Sequence, residues 1–499
     1  MAQRRFPDSV YNPISIAGAA LASASFATIL FLTLVDILQS DAPAYIGIIS
    51  YVILPVPLVA GLLLIPVGIW REKRRRHRGL PASRLSFTLD LNVSRQRSAF
   101  VLFLSSTVVL LLFTAYGSYR TFEWTESVEF CGETCHSVME PEFTAYQNSP
   151  HARVKCVDCH VGSGAGWYVR SKLSGAYQVY AVTVNNYPRP IPTPITNLRP
   201  AQETCEQCHW PSHFSGEKKV VNTYFKSDET NTRWTIALLM KIGGGASGRG
   251  PASGIHWHMN IANEVNFVAT DSLRQVIPFV RIRNRATGAV TEYVSTEAEQ
   301  PAEVLAAMPM NRMDCIDCHN RPSHIYRPPV RIVDQSLAFG HISTSIPFVR
   351  PASIAALVEP YTSKQAAMDS IPLVFRQYYE ESNPDVLTNL KPDIDQAVTE
   401  LRAQYAKNFF PAMNVSWKAY PNNIGHMTDI GCFRCHDGKH VSASGKVISK
   451  DCNSCHTILY QGTDPTPTTL NVAGLEFQHP EDIGDLWKET NCKDCHTGQ

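Results

Sequence analysis

The segment CIDCH at residues 315–319 is one of six copies of the pattern C-x-x-C-H in this chain of 499 residues. A seventh copy, CGETCH at residues 131–136, has one additional residue between its two cysteines. The seven copies use all 14 cysteines, so none remains for another role. These cysteines are Cys131, Cys135, Cys156, Cys159, Cys205, Cys208, Cys315, Cys318, Cys432, Cys435, Cys452, Cys455, Cys492 and Cys495.

The histidine after each cysteine pair distinguishes this pattern from other uses of cysteine. A disulfide scaffold would not place a histidine after every second cysteine, and zinc ribbons do not need one. In c-type cytochromes the two thiols bind the haem covalently and the histidine ligates the iron. The sequence therefore predicts seven covalently attached haem c groups. Their proximal ligands are His136, His160, His209, His319, His436, His456 and His496.

A second axial ligand is usual in electron-transfer haems, and it comes from histidine or methionine. Nine histidines lie outside the motifs after residue 119, more than six haems need. Their positions before or between motifs predict six distal ligands. These are His151, His258, His324, His426, His440 and His479.

Spacing limits which iron each of these histidines can reach. His440 follows the motif residue His436 by four positions, so on a helix both would point the same way. Five residues from a motif histidine to His324 span at most about 17 Å, too short to pass around a haem. We therefore expect His440 and His324 each to ligate the iron of a neighbouring haem. His256 competes with His258 for one position.

Three apolar segments, at residues 14–38, 44–70 and 99–119, are each long enough to cross a bilayer. The connection at 71–98 carries nine arginine and lysine residues, including the run REKRRRHR. By the positive-inside rule this loop and the N-terminus are cytoplasmic, and everything after the third span is periplasmic. We therefore expect an integral protein of the bacterial inner membrane, and interpret the basic run as a topology anchor with no nucleic-acid role.

The predicted fold is a membrane-anchored multihaem cytochrome c with three N-terminal transmembrane helices. A mostly α-helical or irregular, haem-packed periplasmic domain follows, with a small β insertion. Motif spacing predicts four parts: a membrane anchor at 1–119, a trihaem module at 120–215, a haem-free β-containing insertion at 216–305 and a tetrahaem module at 306–499. Strands are expected at 232–242, 275–282 and 289–295, and helices at 352–358, 364–370 and 392–410.

The formal net charge is +1, but the charged residues are unevenly distributed along the chain. Residues 1–119 hold 11 of the 45 basic residues but only 5 of the 44 acidic ones, so the remainder is acidic. Haem propionates would add further negative charge. An acidic external domain favours a basic partner protein, whose association should weaken as salt increases.

Several of these residues also resemble a known family. The pattern Cys131-x3-Cys135-His136-x2-Met139, followed by Ser-Pro-His151 and the second motif, resembles the NapC/NirT family of membrane-anchored quinol dehydrogenases over residues 120–215. Three anchor helices and seven haems together look like the inner-membrane heptahaem cytochromes of metal-reducing bacteria. The resemblance implies that Met139 ligates the first iron, and the sequence leaves open whether it replaces or opposes His136.

The same resemblance implies a site for menaquinol. A family lysine twelve residues after the second motif histidine contacts the quinol, and here this position is Lys172. The match also identifies His151 as a distal ligand. The chain departs from the family in its longer first motif, its additional anchor helices and the absence of an acidic residue near position 179. Gln178, Tyr177 and Glu140 are the candidates for receiving the second proton.

These observations predict a quinol dehydrogenase that passes electrons from the quinone pool to a soluble periplasmic c-type cytochrome of basic charge. A terminal reductase of a small nitrogen or sulfur oxyanion is the alternative, although the chain has no C-x-x-C-K motif. A further alternative is an electron-wiring subunit of a larger respiratory complex.

Overall fold

The computed structural model describes residues 10, 12–38, 54–81, 91–134, 136–162, 164–195, 199–244 and 254–499. The chain forms two compact units. The first comprises Met1–Ser127 and His160–Val179, and the second comprises Val128–Cys159 and Tyr180–Gln499.

Helices dominate the described residues. In chain order they are α1 (Pro13–Leu38), α2 (Pro55–His77), α3 (Ser94–Thr125), α4 (Val128–Glu133), α5 (His136–Gln147), α6 (Cys156–His160), α7 (Ala165–Thr183), α8 (Ala201–Cys205), α9 (Ala302–Ala307), α10 (Cys315–Cys318), α11 (Pro329–Ala338), α12 (Val349–Val358), α13 (Lys364–Ser382), α14 (Asp385–Asn389), α15 (Lys391–Asn408), α16 (Leu486–Glu489) and α17 (Cys492–Cys495). Short 3-10 segments occur at Pro211–His213, Ile255–Met259, Pro411–Met413, Gly431–Arg434 and Cys452–Ser454.

The strands are β1 (Lys218–Phe225), β2 (Arg233–Met240), β3 (Asn263–Val268), β4 (Phe279–Asn284), β5 (Val290–Ser295), β6 (Asn311–Arg312), β7 (His440–Ser442) and β8 (His456–Gly462). They form a three-stranded sheet in the order β1-β2-β8 and a five-stranded sheet in the order β6-β3-β4-β5-β7. Every pairing in both sheets is antiparallel.

Two helices in the described part of the chain are long and apolar enough to cross a membrane. They are Pro13–Leu32 within α1, with a mean hydropathy of 1.9, and Pro55–His77, with a mean hydropathy of 1.3. Only 22% and 17% of these segments are buried, unlike the core helix of a soluble protein. Residues 44–53 of the second predicted span lie outside the described residues. The third predicted span, 99–119, lies within α3, and its crossing of the membrane stays a prediction.

Small residues allow α1 and α2 to approach closely. A Cβ atom added to Gly18 would lie 2.7 Å from the carbonyl oxygen of Gly61, and one added to Gly61 would lie 2.7 Å from the backbone nitrogen of Ala22. The hydroxyl of Ser15 donates a hydrogen bond to the carbonyl of Ile65 at 2.9 Å. Glycine contacts and interhelical hydrogen bonds of this kind are typical of helix pairs in membranes.

Strands outside the predicted insertion complete both sheets. The predicted strand at 232–242 is confirmed as β2. The predicted strands at 275–282 and 289–295 correspond to β4, which begins only at Phe279, and β5, whereas β1 and β3 were not predicted. β8 begins at the motif residue His456, which pairs with Met240 of β2. β7 pairs with β5 through His440 and Ser295. The insertion therefore shares its sheets with segments far along the chain, which cover strand edges that would otherwise be open.

A helical core lies between the fourth and fifth motifs. The three predicted helices are confirmed. Those at 352–358 and 364–370 lie within the longer α12 and α13, and the one at 392–410 corresponds to α15, which ends two residues earlier. Ile371, Phe375 and Tyr379, spaced four residues apart on α13, are at most 1% exposed. They pack with Leu401 of α15 in one apolar cluster. Because i, i+4 spacing places apolar side chains on one helix face, these helices form a conventional core without a haem motif.

Candidate haem and quinol sites

Among the described residues of the second unit, five pairs of histidine rings lie close together, and each pairs a motif histidine with one from outside the motifs. The pairs and their centroid distances are His151–His209 (6.0 Å), His256–His319 (6.4 Å), His258–His436 (5.9 Å), His426–His456 (6.3 Å) and His479–His496 (6.0 Å). Two imidazoles that bind one metal ion from opposite sides, through bonds of about 2.0 Å, have centroids about 6.3 Å apart. Each pair therefore has the separation that two axial ligands of one iron require.

Hydrogen bonds of the ring nitrogens agree with this role. The Nδ1 atom of His256 lies 2.7 Å from the carbonyl oxygen of Ile242, and that of His258 lies 2.9 Å from the carbonyl of Ile255. His436 has the same kind of contact with Ser449 at 2.9 Å. An Nδ1–H that donates to a carbonyl leaves the lone pair on Nε2, as in most metal-binding histidines.

Burial also favours the neutral imidazole, which is the form that binds a metal ion. Desolvation lowers the pKa of one or both histidines in four of the five pairs. The affected residues are His258, His319, His426, His456 and His496. The twelve cysteines from Cys156 to Cys495 form no disulfide, so their thiols are available for thioether bonds. The donor set thus fits haem c.

His440 is held differently, and its geometry does not fit the predicted role as an iron ligand. Its Nδ1 lies 2.9 Å from a carboxylate oxygen of Asp437, and its Nε2 lies 2.7 Å from the carbonyl oxygen of Ile277. Burial opposes protonation, but these two hydrogen bonds outweigh it and raise the pKa of His440. Because both nitrogens have acceptors, neither is left for a metal, and His440 instead fastens β7 to the segment before β4.

His256, rather than His440, has its ring facing a motif histidine. The segment Ile255–Met259 carries both His256 and His258, and each ring faces a different motif histidine. Residues two apart in a short 3-10 segment point in different directions, so the two histidines can serve two irons. The i, i+2 spacing of His256 and His258 was visible in the sequence. On sequence alone the two histidines are competitors for one position, whereas in the structure each faces a different motif histidine.

Close backbone contacts fix this segment. Gly254 has φ +119°, and an added Cβ would lie 2.7 Å from the carbonyl oxygens of Lys241 and Gly243. The buried side-chain amide of Asn260 donates to the carbonyl of Gly244 at 2.9 Å. A side chain larger than hydrogen at Gly254 would therefore displace the histidines. The haem-free insertion thus places two histidine rings against histidines of motifs that follow it in the chain.

Cysteines of successive motifs lie beside one another in the second unit. The neighbouring pairs are Cys131 with Cys156, Cys159 with Cys205, Cys205 with Cys315, Cys318 with Cys432, Cys432 with Cys455 and Cys452 with Cys492. The thiol of Cys315 is near enough to that of Cys205 to lower the pKa of Cys205, although 110 positions separate the two cysteines in the sequence. Each of these cysteines is therefore near enough to a cysteine of another motif to affect its pKa.

A buried ionic network joins the fourth and fifth motifs. Asp317 lies between the cysteines of the fourth motif, and its carboxylate is 2.6 Å from a guanidinium nitrogen of Arg274. Arg434, between the cysteines of the fifth motif, donates to the carbonyls of Asp317 and Arg274 at 2.6 and 2.9 Å. Both acidic and basic groups are paired, which offsets the cost of burying them.

In the first unit, Lys172 of α7 is paired with Glu126, the residue that follows α3. The ammonium nitrogen lies 2.8 Å from a carboxylate oxygen. The Lys172 ammonium also lies 5.0 Å from the centroid of the Tyr168 ring. The predicted site residue Gln178 is exposed and donates to the hydroxyl of Ser174 at 3.4 Å, whereas Glu126 was not identified from the sequence.

For the remaining predicted ligands, Met139, His136 and His324, the structure describes only part of the surroundings. Met139 lies on α5, three residues after His136, and is partly buried. Cys135 and the side chain of His136 lie outside the described residues, so the ligation of the first iron stays a prediction. His324 is in the second unit, with its Nδ1 3.0 Å from the carbonyl oxygen of Glu142.

Comparisons with known proteins agree with the cysteine and histidine pattern. A sequence model of the NapC/NirT cytochrome c family, N-terminal region, matches residues 93–190. The chain is 43% identical to the cytochrome c-type protein ImcH of Geobacter sulfurreducens, over 99% of this chain and 97% of that protein. It is 33% identical to the cytochrome c-type protein NrfH of Wolinella succinogenes, over 15% of this chain and 44% of that protein.

No solved structure matches the chain. The relationship therefore rests on sequence, and the similarity to ImcH extends over almost the whole of both proteins. The chain belongs to the NapC/NirT cytochrome c family.

Proposed function

We propose that this chain is a membrane-anchored heptahaem cytochrome c that oxidises menaquinol at the periplasmic face of the bacterial inner membrane. The electrons pass to a soluble, basic periplasmic cytochrome. Membership of the NapC/NirT family supports quinol-linked electron transfer by a multihaem c-type cytochrome. The number of haems, the direction of transfer and the acceptor are parts of the proposal.

The main support for a quinol site is the ion pair between Lys172 and Glu126. It lies at the end of α3, within the segment that matches the family. On α7, Val169, Leu173 and Tyr177 are 43%, 69% and 66% exposed and follow one another at four-residue intervals. An apolar stripe beside a charged group is typical of a helix at the membrane interface. This arrangement suits a substrate with an apolar tail and a polar ring.

The chain's own residues have distinct parts in this function. Fourteen cysteines attach seven haems, and the five imidazole pairs ligate five of the irons. His324 is proposed as a distal ligand of a neighbouring haem, because its Nδ1 contacts a backbone carbonyl as those of His256 and His258 do. Met139 is proposed for the first iron. When bound, haem c supplies one-electron transfer between the two oxidation states of its iron.

Anaerobic mixing of the oxidised, detergent-purified protein with a reduced menaquinol analogue tests the proposal. We expect the haem α-band to grow promptly in the wild type and much more slowly in Lys172→Ala. Arg170→Ala is the matched control, since Arg170 lies on the same helix with its guanidinium over the Trp167 ring, and it should retain the wild-type rate. Rapid reduction by a small soluble donor without any reduction by quinol would contradict the proposal.

A further inference from the structure

The carboxylate of Glu126 is shielded by the lysine that pairs with it. The Glu126 side chain is 16% exposed, whereas Lys172 is 40% exposed. The backbone N–H of Glu126 donates to the carbonyls of Phe122 and Glu123, which closes the last turn of α3. Glu126 therefore lies at the end of a long helix. Among the described residues, the polar partner of its carboxylate is the ammonium group of Lys172.

Aromatic side chains border the pair. The rings of Phe122 and Tyr168 have centroids 6.5 Å apart, and the Lys172 ammonium lies near the Tyr168 ring. Burial raises the pKa of Tyr168, so its phenol remains neutral. A planar aromatic ring with a hydroxyl group suits these surroundings, because its face can pack on aromatic carbon while its oxygen meets the ion pair.

We propose that Glu126 accepts a hydroxyl proton from the quinol, while Lys172 positions the same oxygen. This inference rests on the proposed function and adds the proton acceptor to that site. Gln178 cannot fill this role, since an amide does not take up a proton at ordinary pH. Glu140 is an ion-pair partner of Lys364 in the second unit. Glu126 therefore supplies the acidic group that is absent near position 179.

The step balances as an ordinary quinol oxidation. Two O–H bonds of the quinol break, giving a quinone, two protons and two electrons. One proton forms an O–H bond on the Glu126 carboxylate, which then releases it to water at the exposed side near Lys172, and the second proton passes from the other hydroxyl group to water. The electrons leave one at a time to ferric haem c attached to this chain, the oxidant that the proposed function requires.

The test measures the rate of haem reduction by a menaquinol analogue as a function of pH in full-length protein. We expect Glu126→Gln to be about 100-fold slower or more, since general bases contribute about 10²–10⁴-fold. Its rate should also lose the wild-type dependence on pH, because an amide has no proton to exchange. Glu126→Asp should recover part of the rate and the pH dependence.

Glu123→Gln is the matched control. Glu123 lies three residues earlier on α3, pairs with Arg120 at 2.8 Å and has no part in the proposed site. It should keep the wild-type rate and pH profile. Haem content and the rate of reduction by dithionite should be equal in all variants, which separates a loss of proton transfer from a loss of folding.

Two results would overturn the inference in different ways. A Glu126→Gln variant with the wild-type rate and pH profile, alongside a slow Lys172→Ala, would remove Glu126 from the reaction and leave the quinol site standing. A uniform slowing that Glu126→Asp does not rescue, with the pH profile unchanged, would assign Glu126 a structural role. A wild type that quinol does not reduce would overturn both this inference and the proposed function.

Discussion

The helices between residues 329 and 410 and the segments that carry the haem motifs lie in the same unit, yet they are built differently. The helical region buries Phe375, Tyr379 and Leu401 in a continuous apolar cluster. The last motif region, by contrast, has only the four-residue helices α16 and α17 after β8, and residues 481–486 are all exposed. We therefore expect folding of the first region to depend on apolar burial, and folding of the second to depend on covalent bonds to haem and on metal ligation.

The two kinds of region should tolerate different substitutions. In the helical region the stability depends on side-chain volume, and in the motif regions it depends on a few cysteines and histidines. The two kinds of region should therefore fail in different ways, and four substitutions test this.

The largest effect is expected from removal of the seventh attachment site. In Cys492→Ser with Cys495→Ser, the mass should decrease by one haem and residues 463–499 should become sensitive to protease. The His479–His496 pair, 6.0 Å apart, would lose the iron that joins it. Limited proteolysis with mass spectrometry measures both effects, and residues 329–410 should stay protected. Equal protease resistance in the variant and the wild type would show that this segment folds without its haem.

A large effect on stability is expected from Phe375→Ala. Its ring is fully buried in the helical core, and Phe→Ala changes in cores cost about 3–5 kcal/mol. Urea unfolding of the helices, followed by circular dichroism, measures the loss, while the haem spectrum should not change. The control is Leu373→Ala on the same helix, where the side chain is 67% exposed and the expected change is within about 0.5 kcal/mol. A similar loss in both variants would contradict the described core.

An intermediate, local effect is expected from His256→Ala. One low-spin haem should become high-spin, because the partner of His319 is removed. Low-temperature EPR measures this change. His440→Gln should keep the low-spin signals of the wild type, since both ring nitrogens of His440 are hydrogen-bonded within the protein. A new high-spin signal in His440→Gln, with none in His256→Ala, would restore the ligand assignment made from the sequence.

The smallest effect is expected from Lys364→Ala, which breaks a contact between the two kinds of region. Lys364 begins α13, and its ammonium lies 2.7 Å from Glu140 on α5, with both side chains more than 40% exposed. Exposed ion pairs contribute about 0–1 kcal/mol. The urea midpoint should therefore change little at low salt and less at high salt. A loss comparable to that of Phe375→Ala would mean that this contact couples the regions strongly.

Much of the fold was predictable because its signals are local. Hydropathy located α1 and α2, and local helix signals located α12, α13 and α15. The sheets were predicted only in part. β1 and β3 were missed, and β7 and β8 come from segments after the fifth and sixth motif cysteines, so no local pattern indicates their pairing with β5 and β2. Sheet pairing is a long-range property and is weakly specified by propensity.

The sequence by itself determined the haem chemistry, because covalent attachment requires two cysteines and a histidine at fixed, short spacing. Its resemblance to the NapC/NirT family also indicated the candidate quinol lysine, Lys172, twelve residues after the second motif histidine. Only the tertiary structure decided which distal histidine faces which motif, that His256 joins His258, and that Glu126 meets Lys172. The physical reason is that an axial ligand or an ion-pair partner is selected by distance in space, and 46 residues separate Glu126 from Lys172 in the chain.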